Sequence, residues 1–345
     1  MKKVLVTGIS GFVGQHCAAV LLKNGYAVRG SVRSLSRTAE VENGIKNEID
    51  PKGNLTFCEL DLMKDEGWDI AMEGCDYVLH VASPFVVKAP KDENELIKPA
   101  VDGTLRALKA AKIAGVKRVV LTSSTASMQG GRYGIVHLNQ DSWTDVNEKS
   151  VTAYFKSKTL AEKAAWDFIK NQTGNEKLEL VVINPGPIYG PTLTGNLVSE
   201  SMDFFKKLIS GKVPMLPKAD SVMSDVRDIA HIHVKALENE KANGHRFIVT
   251  TEAKPPVQED IVYVYAVIEG WKKNTLKREE YYKAFIPITI DGQHWRAISW
   301  TTAASLCAVI ELVAKKKLAQ KGFIKQEEIN FRDLLSTSYG KYFKN

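Results

Sequence analysis

The chain has 345 residues, 44% of them hydrophobic and 25% charged, enough apolar content to bury a sizeable core and too much for a disordered chain. Its net charge of +7 is not gathered into an arm or a basic helix: residues 251–345 hold 15 Lys/Arg against 11 Asp/Glu, which argues against nucleic acid and for anionic small ligands. No apolar stretch reads as long enough to span a bilayer, Met1-Lys2-Lys3 runs straight into an apolar strand, and the expected location is the cytoplasm, without membrane partners.

A buried strand at Lys3–Thr7 runs into Gly8-Ile9-Ser10-Gly11-Phe12-Val13-Gly14 and then a helical pattern ending at Asn24-Gly25. A glycine loop between strand and helix lets backbone N–H groups and the positive end of a helix dipole meet a pyrophosphate, so Gly8, Ser10, Gly11, Phe12, Val13 and Gly14 are candidate dinucleotide contacts. The second strand, Ala27–Val32, ends in Arg33 where an acidic residue would accept the 2′-hydroxyl of NAD. Arg33, with Arg37 following, suits a 2′-phosphate, which points to NADP (NADPH). After a strand at Leu55–Glu59, the turn Leu60-Asp61-Leu62 either contacts the adenine edge or stabilises its own loop.

A strand at 76–81 delivers Val81, Ala82 and Ser83 to the ligand-binding edge of such a sheet, with His80 read as a packed strand residue. A helix at 93–114 and a strand at 117–124, ending in Thr122-Ser123-Ser124, follow. Tyr154 and Lys158 sit four apart at the start of a long helical pattern and share one face, where an ammonium beside a phenol favours the phenolate. A strand at 178–184 leads into Pro185-Gly186. Asp225, Arg227 and Asp228 read as helix-capping and ion-pair residues rather than an acid/base cluster. His231 and His233 lack a third ligand nearby, and Cys17, Cys58, Cys75 and Cys307 are scattered without metal or disulfide spacing, so no metal is expected.

Taken together, Gly8-x-x-Gly11-Phe12-x-Gly14, His80-Val81-Ala82-Ser83-Pro84, Val101-Asp102-Gly103-Thr104, Arg118–Ser124, Tyr154-x-x-x-Lys158, Asn184–Pro191 and Asp225–Ala230 resemble an extended short-chain dehydrogenase/reductase. Within that family the likeness is to the dihydroflavonol reductase, cinnamoyl-CoA reductase and aldehyde reductase branch, over residues 1–250. The resemblance implies an α/β fold, a doubly wound parallel sheet of Rossmann type with a smaller C-terminal substrate-binding region. Residues 1–185 with contributions from 225–250 would form the dinucleotide-binding domain, and 186–224 with 251–345 the substrate-binding and lid region. It also implies a catalytic set of Ser124, Tyr154 and Lys158, with Thr122 among the cofactor contacts and Pro185, Gly186 and Ile188 against the nicotinamide. In that set Tyr154 would protonate the oxygen of a small carbonyl substrate, Ser124 would hydrogen-bond it, and Lys158 would hold the nicotinamide ribose. The expected assembly is a monomer or homodimer. An NAD-dependent nucleotide-sugar epimerase or dehydratase is the alternative, and a non-catalytic dinucleotide sensor the third reading.

Two regions should decide the substrate: a mobile loop at 126–146 containing Met128, Gln129, Tyr133 and Trp143, and a lid at 192–222 with a helical stretch at 198–210. Their apolar and aromatic content favours an uncharged or aromatic carbonyl compound. Beyond about residue 252 the chain departs from the family pattern. Residues 257–273 are strongly apolar, 286–300 alternate like a strand pair around Asp291-Gly292, a helix is expected at 302–318, and the end loosely resembles the C-terminus of saccharopine-dehydrogenase-like proteins.

Overall fold

A computed structural model of the chain describes residues 1–83, 92–131, 137–174, 177–195, 201–203, 207, 222–250, 260–272, 275–318 and 329–344. Its contacts divide the chain into two compact units, Met1–Glu252 and Ala253–Asn345.

The first unit is built on strands that are apolar on both faces. Strands β1 (Lys3–Thr7), β2 (Ala27–Val32), β3 (Leu55–Glu59), β4 (Tyr77–His80), β5 (Arg118–Thr122), β6 (Glu179–Pro185) and β9 (Arg246–Val249) form one sheet in the order β3-β2-β1-β4-β5-β6-β9. Every pairing is parallel. Side chains alternate between the faces of a strand. Thus Val4, Val6, Leu79, Val120, Val181 and Ile183 pack with helices α1 (Phe12–Lys23) and α7 (Val226–Glu238), while Leu5, Val78, Val119, Leu121, Leu180 and Val182 pack with α3 (Trp68–Met72), α4 (Asn94–Ile113) and α6 (Ala153–Lys170). A sheet covered on both sides needs such continuous apolar strands, which is why these were legible as strands at all.

Chain order reverses between β1 and β4: β2 and β3 extend the sheet one way, β4 onward the other. The crevice beyond the carboxyl ends of such a pair is where α/β sheets bind ligands. Gly8 and Ala82 meet there, close enough that a Cβ on Gly8 would lie 2.9 Å from that of Ala82. At the opposite edge the buried Arg118 pairs with Glu179 at 2.6 Å and donates to the carbonyls of Ala236 and Asn239, satisfying the C-terminal end of α7.

The second unit is antiparallel. β10 (Val262–Lys272) pairs with β11 (Thr275–Phe285) along their full lengths. β12 (Ile288–Ile290) and β13 (Gln293–Trp295) close around Asp291 and Gly292, both with positive φ (50° and 75°), as a two-residue hairpin of this hand requires. The helix expected at 302–318 instead spans Ala297–Ala314 (α8). It starts earlier because the Asp260 carboxylate accepts from the N–H groups of Ala297 (2.5 Å) and Ile298 (2.8 Å), a cap 37 positions away in sequence. The expectation that no segment could cross a membrane also needs correction: α8 is long and apolar enough by length and composition. Its buried residues, Ala297, Trp300, Thr301, Ala304, Ala308 and Leu312, fall on one face packed within the unit.

Candidate active site

The glycine loop has two distinct reasons for its glycines. Gly8 has φ +67°, a conformation that only glycine adopts freely, and its carbonyl accepts from Gly11 N–H at 2.9 Å to tighten the turn. Gly14 is required by packing: a Cβ there would lie 2.5 Å from the Gly8 carbonyl oxygen and 2.9 Å from Ile9 Cα, so its absence lets α1 cross the end of β1. The loop is stitched to β2, Gly8 N–H donating to Ser31 Oγ (3.1 Å) and Ile9 N–H to the Ser31 carbonyl (3.2 Å). Helix α1 begins with Gly11 as a cap that offers no side-chain hydrogen bond, and its first turn carries no acidic residue. Its leading N–H groups and dipole therefore face the crevice ready for an anion, which is what a pyrophosphate would need from Ser10, Gly11, Phe12, Val13 and Gly14.

Arg33 follows β2 directly and is exposed at the same sheet edge. Arg37 lies in the short turn Leu35–Arg37 and pairs with Glu40 at 3.5 Å. Asp61 accepts from Met63 N–H at 2.9 Å, so its carboxylate stabilises its own loop, while the Leu62 carbonyl is held by Arg106 at 3.0 Å. His80 is buried on β4 with Nδ1 2.9 Å from Thr7 Oγ1, which in turn accepts from Ala82 N–H at 3.1 Å. Burial, helped by the charge of Lys158, lowers His80 to about 4, so it is a neutral strand residue that fixes Ala82. Val81 and Ser83 flank that fixed point.

Helix α6 carries Tyr154 in its first turn and Lys158 one turn on. Lys158 Nζ lies 5.9 Å from the centre of the Tyr154 ring and donates to Ser83 Oγ at 3.0 Å, joining α6 to the end of β4. Leu62, Ala82, Ser83, Thr122, Ser123 and Lys158 line one cavity at this edge. Of the two serines after β5, Ser123 is buried and donates to Glu162 at 2.5 Å, whereas Ser124 is half-buried, its Oγ accepting from Ala126 N–H at 3.1 Å. Ser123 borders the cavity but its hydroxyl proton goes to Glu162, whereas Ser124 is the more exposed of the two. The Thr122 hydroxyl is also committed, lying 2.7 Å from His233 Nε2. His233 Nδ1 must donate to the Ile229 carbonyl at 2.7 Å, leaving Nε2 to accept, and burial lowers its pKa to about 4.

β6 ends at Pro185, whose carbonyl accepts from Thr125 N–H at 2.9 Å. Gly186 donates to the Val249 carbonyl at 3.1 Å, and Ile188 begins the short strand β7 (Ile188–Tyr189), paired with β8 (Ser224–Asp225). Asp225 caps α7 through Arg227 N–H at 2.8 Å and pairs with the Arg227 guanidinium, which lowers it to about 2, the structural role expected of it. Among the described residues no three His, Cys, Asp or Glu side chains gather as a metal site.

The loop expected to be mobile is pinned where it is described. Met128 is fully buried in α5 (Ala126–Gln129), Thr144 Oγ1 donates to the Ala126 carbonyl at 2.7 Å, and Thr144 N–H to the Ser127 carbonyl at 2.9 Å. Trp143 lies under the Arg246 guanidinium, 3.8 Å from ring centre to Cζ. Tyr133, Pro84 and most of the expected lid lie outside the described residues. What sequence reasoning missed is the buried cluster behind Ser124: Glu162, Ser127, Asn184 and Arg246. One signal was present, since Glu162 follows Lys158 by four and so falls on the inward face of α6.

The sequence profile of the NAD dependent epimerase/dehydratase family matches residues 4–250. The chain belongs to this family. Among members of the epimerase/dehydratase family, cinnamoyl-CoA reductase CAD2 of Medicago truncatula is 35% identical over 252 residues, covering 71% of this chain and 75% of that one. The NADPH-dependent methylglyoxal reductase GRE2 of Saccharomyces cerevisiae is 32% identical over 277 residues, covering 74% and 80%. The crystal structure of yeast methylglyoxal/isovaleraldehyde reductase Gre2 complexed with NADPH superposes with a TM-score of 0.61 at 30% identity, covering 72% of this chain and 78% of that one. The branch read from the motifs therefore holds. This family member is an oxidoreductase among reductases, with the doubly wound sheet expected of it.

Proposed function

We propose that the protein is an NADPH-dependent reductase of aldehyde or ketone carbonyls. The observation that carries this reading is the placement of Tyr154 and Lys158 at the carboxyl edge of the sheet, with Lys158 tied to Ser83 beside the glycine loop. The NADPH dependence of GRE2 and the NADPH in the Gre2 crystal structure support the cofactor choice, as does Arg33 standing where NAD binding would favour a carboxylate. The glycine loop and α1 would hold the pyrophosphate, Arg33 and Arg37 the 2′-phosphate, and Pro185, Gly186 and Ile188 the nicotinamide side of the crevice. A nicotinamide held there would supply a hydride to the carbonyl carbon.

The protein's own task is the oxygen. As the carbonyl gains electrons its oxygen becomes an alkoxide, and charge developing there must be met by donors already in place. Tyr154 gives its phenolic proton to that oxygen, while the Ser124 hydroxyl donates a hydrogen bond to it. Lys158 stabilises the phenolate left behind and, beside Ser83, would hold the cofactor's ribose. The decisive assay is carbonyl-dependent loss of NADPH absorbance across a panel of aldehydes and ketones, with NADP+ released in step with product. Tight retention and recycling of NAD with a nucleotide sugar would instead establish the epimerase reading.

A further inference from the structure

The carboxylate of Glu162 is 1% exposed yet surrounded entirely by donors. Its Oε2 accepts from Ser123 Oγ (2.5 Å) and Asn184 Nδ2 (2.8 Å), and lies 2.6 Å from Ser127 Oγ. Its Oε1 is 2.7 Å from Arg246 Nε, an ion pair whose N–H is not aimed as a hydrogen bond, and 3.4 Å from the Trp166 indole nitrogen. A charge so deeply buried survives only when paired and hydrogen-bonded, and the choice of partners here is informative. Ser123 and Ser127 flank Ser124, and the Ser124 carbonyl is itself 2.8 Å from Ser127 Oγ and 3.3 Å from Asn184 Nδ2. Glu162 also follows Tyr154 by eight residues and Lys158 by four on one continuous helix, α6. A single carboxylate thus links the serine turn to the helix that carries the tyrosine and lysine.

Arg246 extends the link. It donates to the carbonyls of Ser142 (2.7 Å) and Gln140 (3.3 Å), lies 3.2 Å from Ser127 Oγ and stacks on Trp143. We propose that the Glu162–Arg246 pair positions the serine turn, the start of α6 and the 139–144 loop relative to one another, so that the Ser124 hydroxyl and Tyr154 phenol converge on one substrate oxygen. Glu162 borders the same cavity as Ser83 and Lys158, but its carboxylate is already held by Ser123, Asn184 and Arg246, so Glu162 and Arg246 act here as positioning residues, and their role rests on the reductase reading above. A neutral glutamine at 162 cannot serve both sides. Its single oxygen can face either Ser123 and Asn184 at Oε2 or the arginine, and its NH2 then opposes a donor, Asn184 Nδ2 or the guanidinium.

The test uses the full-length protein. For Glu162→Gln, kcat should fall on the order of tenfold to a hundredfold, because small misplacements of reacting groups cost that much. NADPH affinity, set mainly at the glycine loop, should stay within about twofold. In the double variant Glu162→Gln with Arg246→Met, which leaves no buried charge unpaired, the melting temperature should recover while kcat stays low. Should Glu162→Gln fail to fold, Ser127→Ala removes only a hydroxyl and should show the same loss of kcat at unchanged NADPH affinity. Hydrogen exchange provides a readout independent of turnover, with faster exchange expected in both 123–127 and 153–158. Wild-type kcat in Glu162→Gln or Ser127→Ala, recovery of kcat along with stability in the double variant, or unchanged exchange in those two segments would each overturn the proposal. Wild-type protein inert towards every carbonyl would overturn the reductase reading instead, and the exchange result would still decide this one.

Discussion

The two compact units differ in how they are held together, and the difference locates the chemistry. In Met1–Glu252 every pairing of the main sheet is parallel, its central strands are covered on both faces, and the candidate catalytic and cofactor residues lie at one edge of it. In Ala253–Asn345 the strands are antiparallel, β11 carries Lys277-Arg278-Glu279-Glu280 in a row, and the packing described centres on Trp300 with Phe285 and Phe343. The family profile stops at residue 250, almost where the contacts divide. The first unit therefore holds the part of the chain that matches the family, and the second lies outside the matched profile.

The largest expected effect falls on the first unit alone. Tyr154→Phe should lower kcat by about 10²–10⁴-fold, the usual worth of a positioned proton donor, with NADPH affinity nearly unchanged in a fluorescence titration. The reciprocal experiment is Trp300→Ala. Trp300 is 5% exposed and its indole donates to the Ile286 carbonyl at 2.8 Å, so the change should destabilise the second unit by about 3–5 kcal/mol in a denaturant series. Wild-type affinity for NADPH in that variant would confirm the separation, and a parallel loss would break it.

Acid should also act on the units unequally. His80 and His233, both buried in the first unit, have folded pKa values near 4 against 6.5 unfolded, so the unfolded chain binds more protons between those values. Their contribution is fully present above pH 6.5 and is lost as pH falls towards 4, by about 3 kcal/mol for each histidine. The second unit's single histidine, His294, is exposed. Melting curves at pH 7 and pH 4.5 should show the first unit losing stability, and a first unit indifferent to that change would contradict the buried neutral imidazoles. The smallest effect is expected at the exposed Arg33: Arg33→Ala should weaken NADPH by about tenfold or more and leave NADH nearly unchanged, as removal of a charge-assisted phosphate contact would. Equal losses for the two cofactors would remove the argument for NADPH at that position.

Much of the first unit could be read directly. Continuous apolar strands, the glycines at 8, 11 and 14 and the four-residue spacing of Tyr154 and Lys158 are local patterns, each enforced by backbone geometry within a few residues. The Asp291-Gly292 hairpin in the second unit was legible for the same reason. Where reading failed, the cause lay far off in the chain: Asp260 starts α8 from 37 residues away, and Arg246 reaches back across 104 residues to hold the Ser142 carbonyl beside Trp143.

Amino-acid order alone made candidates of the glycine loop for a dinucleotide and of Tyr154 for proton exchange, because glycine's freedom and side-chain acidity belong to the residues themselves. Tertiary structure decided which serine is spent on a buried carboxylate, why Gly14 has no side chain, and that this carboxylate underlies the Ser124 turn. Those outcomes depend on burial and on partners brought together by folding, and neither is a property of any short stretch of chain.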